Sequence, residues 1–104
     1  MSIPIFTTAN CPTFKKCTLA YGHFNSVHPG HIRYLKNAAT KGETLVVAIL
    51  PDTIIGDKRA YKFSQIERAE GLTAINIIDG ILLLKDEKNA QVNAIKKLKP
   101  NLLV

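Results

Sequence analysis

The stretch Tyr21-Gly-His-Phe-Asn-Ser-Val-His-Pro-Gly-His31 decides how this chain is read. All three histidines of the 104 residues fall inside it, together with Gly22, Pro29 and Gly30. Before it lies Cys17-Thr-Leu-Ala-Tyr21, a short apolar run that reads as a buried strand. After it, Ile32, Leu35 and Ala38 or Ala39 share a helical face, while Arg33, Lys36 and Lys41 fall elsewhere. Gly42 stands where a helix stop is expected. A strand that passes through a glycine- and proline-punctuated loop into a helix opens an α/β unit.

The same alternation continues. Thr44 to Leu50 is continuously apolar and partly β-branched, as in strands covered on both faces, and Pro51-Asp52 ends it. A basic loop follows, Gly56 to Lys62. Ser64-Gln-Ile-Glu67 has the spacing of a capping box, and Ile66, Ala69, Leu72 and Ile75 form the stripe of the helix it opens. Asp79-Gly80 reads as a turn and Ile81 to Leu84 as a strand. Val92, Ile95 and Leu98 mark a third helix stopped before Pro100, and Leu102 to Val104 begins a fourth strand. Residues 1–16 hold two prolines and no periodicity. They read as an N-terminal extension or a short extra strand, leaving 17–104 as the core. The fold expected is a Rossmann-like, three-layer α/β domain, a parallel sheet with helices on both faces.

Composition narrows the function classes. A hydrophobic content of 46% fits a single globular domain, and no apolar run reaches the roughly 20 residues needed to span a bilayer. The N-terminus lacks the basic and apolar regions of a signal peptide. Two cysteines are too few for a disulfide framework, so a cytoplasmic setting is expected. The net charge of +6 favours anionic partners. Lysines and arginines are dispersed rather than blocked, and tryptophan is absent, so nucleic acid is not expected as a partner.

In open parallel sheets, ligands bind beyond the carboxyl ends of the strands where strand order switches. The histidine loop leaves the first strand at that end. A helix N-terminus presents unpaired N–H groups and partial positive charge, which suits phosphate. His28 and His31, three residues apart, can both face it and donate to phosphate oxygens. Such donors stabilise charge that builds during phosphoryl transfer. An alternative is a zinc site gathered from His23, His28 and His31 with Cys11 or Cys17, but their spacing lacks the short paired ligands of structural zinc.

Gly22-His-Phe-Asn-Ser-Val-His-Pro-Gly-His31 resembles the G-x-F-D-x-x-H-x-G-H signature of the nucleotidylyltransferase superfamily, cytidylyltransferase-like branch. It is similar to glycerol-phosphate cytidylyltransferases and to heptose-phosphate adenylyltransferase domains. The resemblance continues through Ala48-Ile-Leu-Pro-Asp52, Lys62-Phe-Ser-Gln-Ile-Glu-Arg68 and Ile95 to Val104, and so covers about residues 17–104. It implies attack by a substrate phosphate on the α-phosphate of CTP or ATP, with Mg²⁺ arriving on the nucleotide and pyrophosphate leaving. His28 and His31 would be catalytic. Tyr21, Gly22, His23, Phe24, Gly30, Asp52 and Arg68 would bind nucleotide, and Lys58, Arg59 and Lys62 would screen phosphate charge. The acceptor would be a small phosphorylated sugar or polyol.

Two departures qualify the resemblance. Asn25 stands where the family carries Asp, which keeps the shape and removes a charge. The resemblance implies a chain that continues past the fourth strand into a further nucleotide-binding motif, whereas this sequence ends at Val104, so the Rossmann-like sheet is expected to be truncated after its fourth strand. Three expectations follow: a homo-oligomer or a part of a larger chain, weak activity of the 104 residues alone, and, as the alternative to an enzyme, a non-catalytic nucleotide-binding module.

Overall fold

In the computed structural model, residues 3–14, 16–22, 24, 29–42, 44–51, 63–86, 88–100 and 102–103 are described. Their order is β1 (Ile5–Phe6), a 3₁₀ turn (Thr8–Asn10), β2 (Cys17–Gly22), α1 (Pro29–Ala39), β3 (Thr44–Ile49), α2 (Gln65–Leu72), β4 (Gly80–Leu83), α3 (Ala90–Leu98) and β5 (Leu102–Leu103). The strands form one sheet in the order β1-β4-β3-β2-β5, and every pairing is parallel. The chain runs outward from β2 through β3 to β4, then crosses back to lay β5 on the other side of β2. The expected α/β parallel sheet is therefore present, with β1 as a fifth strand contributed by the N-terminal residues.

The layers follow from period-2 alternation along buried strands. Leu45, Val47 and Ile49 of β3 point to one face with Ala20 and Ile81, where they meet Leu35 and Ala38 of α1 and Ala69 and Leu72 of α2. Val46 and Ala48 point to the other face with Cys17, Leu19 and Leu82, against Ala94 and Leu98 of α3. Right-handed crossovers require this division: two steps in one direction put α1 and α2 on one side, and the return step puts α3 on the other.

The N-terminal segment is part of this packing. Ile81 N–H donates to the Pro4 carbonyl at 2.9 Å, and the Phe6 and Phe14 rings stack at 5.5 Å. That pair lies over Gly80, where an added Cβ would come within 2.7 Å of Phe14 Cζ.

Several local expectations are corrected. Gly80 opens β4 rather than closing a turn, and the Asp79 carboxylate accepts the Leu45 N–H at 2.7 Å. Ile66 lies on the exposed side of α2, and the residue that turns inward there is Arg68. Ile75 packs on the core from beyond the end of α2. Val92 is exposed, and Ala94 with Leu98 buries α3. Gly42 follows the end of α1 without a left-handed φ. Its need for glycine is steric, since a Cβ would lie 2.6 Å from Thr18 Oγ1 and 2.7 Å from the Lys16 carbonyl oxygen. The capping box is present as expected: Ser64 Oγ accepts the Glu67 N–H, and Glu67 Oε1 accepts the Ser64 N–H.

Gly71 gives a stability test. It is exposed within α2, and a Cβ there would meet nothing within 4 Å. Gly71→Ala is expected to stabilise the fold by about 0.5–1 kcal/mol, because alanine loses less backbone entropy in a helix. Chemical denaturation should show a higher midpoint with an unchanged slope.

Candidate active site

β2 and β5 are paired through Thr18–Leu102 and Leu19–Leu103, so the strand order switches between them. The carboxyl end of β2 at that switch is Gly22, where the histidine loop begins. The Gly22 carbonyl accepts the Leu50 N–H at 3.1 Å, which ties this end of β2 to the end of β3. Alternation along the strand then turns the Tyr21 N–H toward the β5 edge, where the Tyr34 hydroxyl of α1 accepts it at 3.4 Å. The Tyr21 side chain packs against the α3-side core. Burial, then the neighbouring Tyr34, holds its phenol above the usual range.

Phe24 is the pivot of the described part of the loop. Its φ of 51° lies in the left-handed region, which costs a bulky residue free energy and needs compensation. Packing provides it. The ring is 3% exposed and sits against Gly22, so close that a Cβ on Gly22 would fall 2.5 Å from Phe24 Cε2. The ring also meets His31, with centroids 5.2 Å apart and planes inclined at 56°. Gly22, Phe24 and His31 thus form one packed unit that holds the imidazole in the first turn of α1.

α1 begins at Pro29, whose fixed φ and missing N–H suit a first helical position. Gly30 and His31 follow, and no acidic residue occupies the first turn. The helix end keeps its partial positive charge toward the strand ends. Arg68 is 2% exposed in α2, on the same side of the sheet as α1. Its turn of α2 adjoins the same end of the sheet, because Gln65 bonds to the carbonyls of Ile49, the last residue of β3, and Leu84, the residue after β4. His23, Asn25, His28, Asp52, Lys58, Arg59 and Lys62 lie outside the described residues.

The cysteines do not join His31. Cys17 starts β2, about 17 Å along the strand from Gly22, and faces the α3 side. Cys11 also packs on that side. Burial, then the nearby Cys11, pushes the Cys17 thiol up to about 11. That separation removes the cysteine half of the zinc alternative; its His23 and His28 are outside the described residues. Among the described residues, no three histidine, cysteine or acidic side chains gather as a metal site.

A cavity of about 320 Å³ opens at the same end of the sheet. Leu50 and Pro51 wall it after β3, Leu84, Lys85 and Asp86 after β4, and Asn89 to Val92 at the start of α3. Val92, which helical spacing assigns to the core, lines this space instead. Gln65 lies inside the capping-box and Lys62–Arg68 stretches, neither of which gives its side chain a role, yet its Nε2 donates to the carbonyls of Ile49 at 2.9 Å and Leu84 at 2.8 Å. The nearest sequence signal is Pro51, which interrupts a strand ladder that then needs another donor.

The cytidylyltransferase-like family matches residues 19–104. The chain belongs to that family. It is 34% identical over 94 residues to the bifunctional protein HldE of Campylobacter fetus, covering 86% of this chain and 20% of the relative. It is 31% identical over 72 residues to the FAD synthase of Natrialba magadii, covering 69% of this chain and 49% of that protein. The chain thus spans about a fifth of the first relative and half of the second. The crystal structure of a lipopolysaccharide core biosynthesis protein from Thermoplasma volcanium superimposes with a TM-score of 0.73. It shares 24% identity, with 84% of this chain and 70% of that one covered, and shows the fold. This is a nucleotidyltransferase-family domain on a Rossmann-like sheet. No helix among the described residues is long and apolar enough to cross a membrane.

Two outcomes check the site's packing. Gly22→Ala should destabilise the domain by about 1–3 kcal/mol through overpacking against the Phe24 ring. Replacing that ring with Phe24→Leu in the same chain should recover part of the loss, measured as coupling in a denaturation cycle. Thiol titration at pH 8 should find Cys11 reacting in the native protein and Cys17 only after unfolding, because the buried Cys17 stays protonated far above that pH.

Proposed function

We propose that this chain is the nucleotide-binding core of a nucleotidylyltransferase, moving CMP or AMP from CTP or ATP to the phosphate of a small sugar or polyol phosphate and releasing pyrophosphate. The observation that carries this reading is His31, propped by the buried Phe24 ring in the first turn of α1, at the strand-order switch. Imidazole donors and a positive helix end suit phosphate oxygens, and most of all an α-phosphate gaining charge during attack.

His31, with His28, would act on that charge. Gly22, His23 and Phe24 would lend backbone to the triphosphate, and Gly30 would admit the nucleotide close to α1. Tyr21, Asp52 and Arg68 would border the pocket, with Lys58, Arg59 and Lys62 screening phosphate charge. The donor set at α1 is nitrogen rather than the oxygen a hard cation prefers, so Mg²⁺ fits as a cation carried by the nucleotide's own phosphates. When bound it would neutralise phosphate charge. The cavity between β3, β4 and α3 is the space for the acceptor, with Lys85 on its rim to meet a phosphate. A reduced, cytoplasmic setting and association with further chain or a second copy remain part of the proposal.

The test is pyrophosphate release with CTP or ATP, Mg²⁺ and a panel of sugar and polyol phosphates, beside calorimetry of nucleotide binding. His31→Ala should lower kcat on the order of 100-fold while KM for nucleotide changes little. Nucleotide binding without turnover for any acceptor would favour the non-catalytic module. No binding at millimolar nucleotide by the folded protein would remove both.

A further inference from the structure

The ends of β3 and β4 contain a gap in the sheet ladder that one side chain fills. In a parallel pair, a residue donates its N–H to one partner residue, and its carbonyl accepts from the residue two further on. Ile49 pairs with Leu83, and Leu84 N–H donates to the Ile49 carbonyl at 3.1 Å. The next bond in this register runs from the N–H of residue 51 to the Leu84 carbonyl. Residue 51 is proline and has no N–H. Gln65 Nε2 donates to the Leu84 carbonyl at 2.8 Å and to the Ile49 carbonyl at 2.9 Å. Only the NH₂ group of a glutamine can serve two carbonyls, so the orientation of the amide is unambiguous.

We infer that Gln65 is a positioning residue: its side chain replaces the ladder donor that Pro51 removes and fixes the rim of the cavity between β3, β4 and α3. Pro51 and Leu84 both line that cavity, and Lys85 follows Leu84 directly. With the Leu84 carbonyl satisfied from α2, the ladder can end at Pro51 without letting the end of β4 fray, and the cavity walls at Pro51 and Leu84 are held in place. The assignment of this space to the acceptor phosphate rests on the proposed function; the ladder role of Gln65 does not.

The two parts are separated by measuring Gln65→Met in two backgrounds, with Pro51 intact and with Pro51→Ala. The Pro51→Ala substitution restores a backbone N–H able to reach the Leu84 carbonyl. In thermal unfolding, Gln65→Met should lower Tm by about 5 °C with Pro51 intact, the cost of an unsatisfied buried carbonyl, and by less than about half of that in the Pro51→Ala background. Equal losses in both backgrounds would overturn the ladder role. In pyrophosphate release, Gln65→Met should raise the acceptor KM about tenfold with Pro51 intact and less than about threefold in the Pro51→Ala background, with the nucleotide KM within about twofold in both. A fall in kcat with the acceptor KM unmoved, or a nucleotide KM rising in step with it, would overturn the positioning role. Absence of turnover by the unsubstituted protein with every acceptor would count against the proposed function alone, and the unfolding measurements would still decide the ladder role.

Discussion

The pairing of β2 with β3 is the constraint on which the rest of this molecule depends. It is continuous over six residues, from Cys17 opposite Thr44 to Gly22 opposite Ile49. Both strands are central, and β3 is buried on both faces, so a slip of one residue would invert every side chain between the two cores. The register also aligns the carboxyl ends. Gly22 and Ile49 finish level, so β2 and β3 end at one height. The proposed nucleotide site lies at this edge, where the strands set the level and the first turns of α1 and α2 begin beyond their ends.

At that edge the backbone loses its regular partners, and side chains take over. Two solutions are visible. At the end of β2, Gly22 gives up its own side chain so that the Phe24 ring can occupy the space, and the ring supports His31. At the ends of β3 and β4, Pro51 gives up an N–H and Gln65 supplies one from α2. Both arrangements give the strand ends packing or hydrogen-bond partners, and the proposed phosphoryl chemistry would depend on such support to align the reacting atoms. Both also place a local sacrifice beside its compensation in space rather than in sequence.

The sequence was legible where local signals and tertiary environment agree. Thr44 to Leu50 reads as a doubly buried strand because its uninterrupted apolar run has no other use in a short segment, and β3 forms there over Thr44–Ile49. The Ser64–Glu67 capping box forms as spaced because it needs only its own turn. The signature loop marked the strand–helix junction. Misreadings came where an apolar residue serves something other than the core. Ile66 and Val92 sit at helical spacing but face outward, while Arg68 turns in. Gly42 and Gly80 look like punctuation but are glycines because Thr18 and the Phe6–Phe14 pair come too close for a Cβ.

The sequence by itself determined the alternation of strands and helices, the parallel character of the sheet, the family resemblance and the candidate phosphate-binding histidines. These rest on interactions within one element or between neighbours in the chain. The tertiary structure alone decided that the N-terminal residues add a strand beside β4, and that the switch lies between β2 and β5. It also decided that Phe24 packs against both Gly22 and His31, and that Gln65 completes the ladder broken by Pro51. Each of these joins residues from separate segments whose spacing carries no local period, so the contact exists only once the sheet has brought its strand ends together.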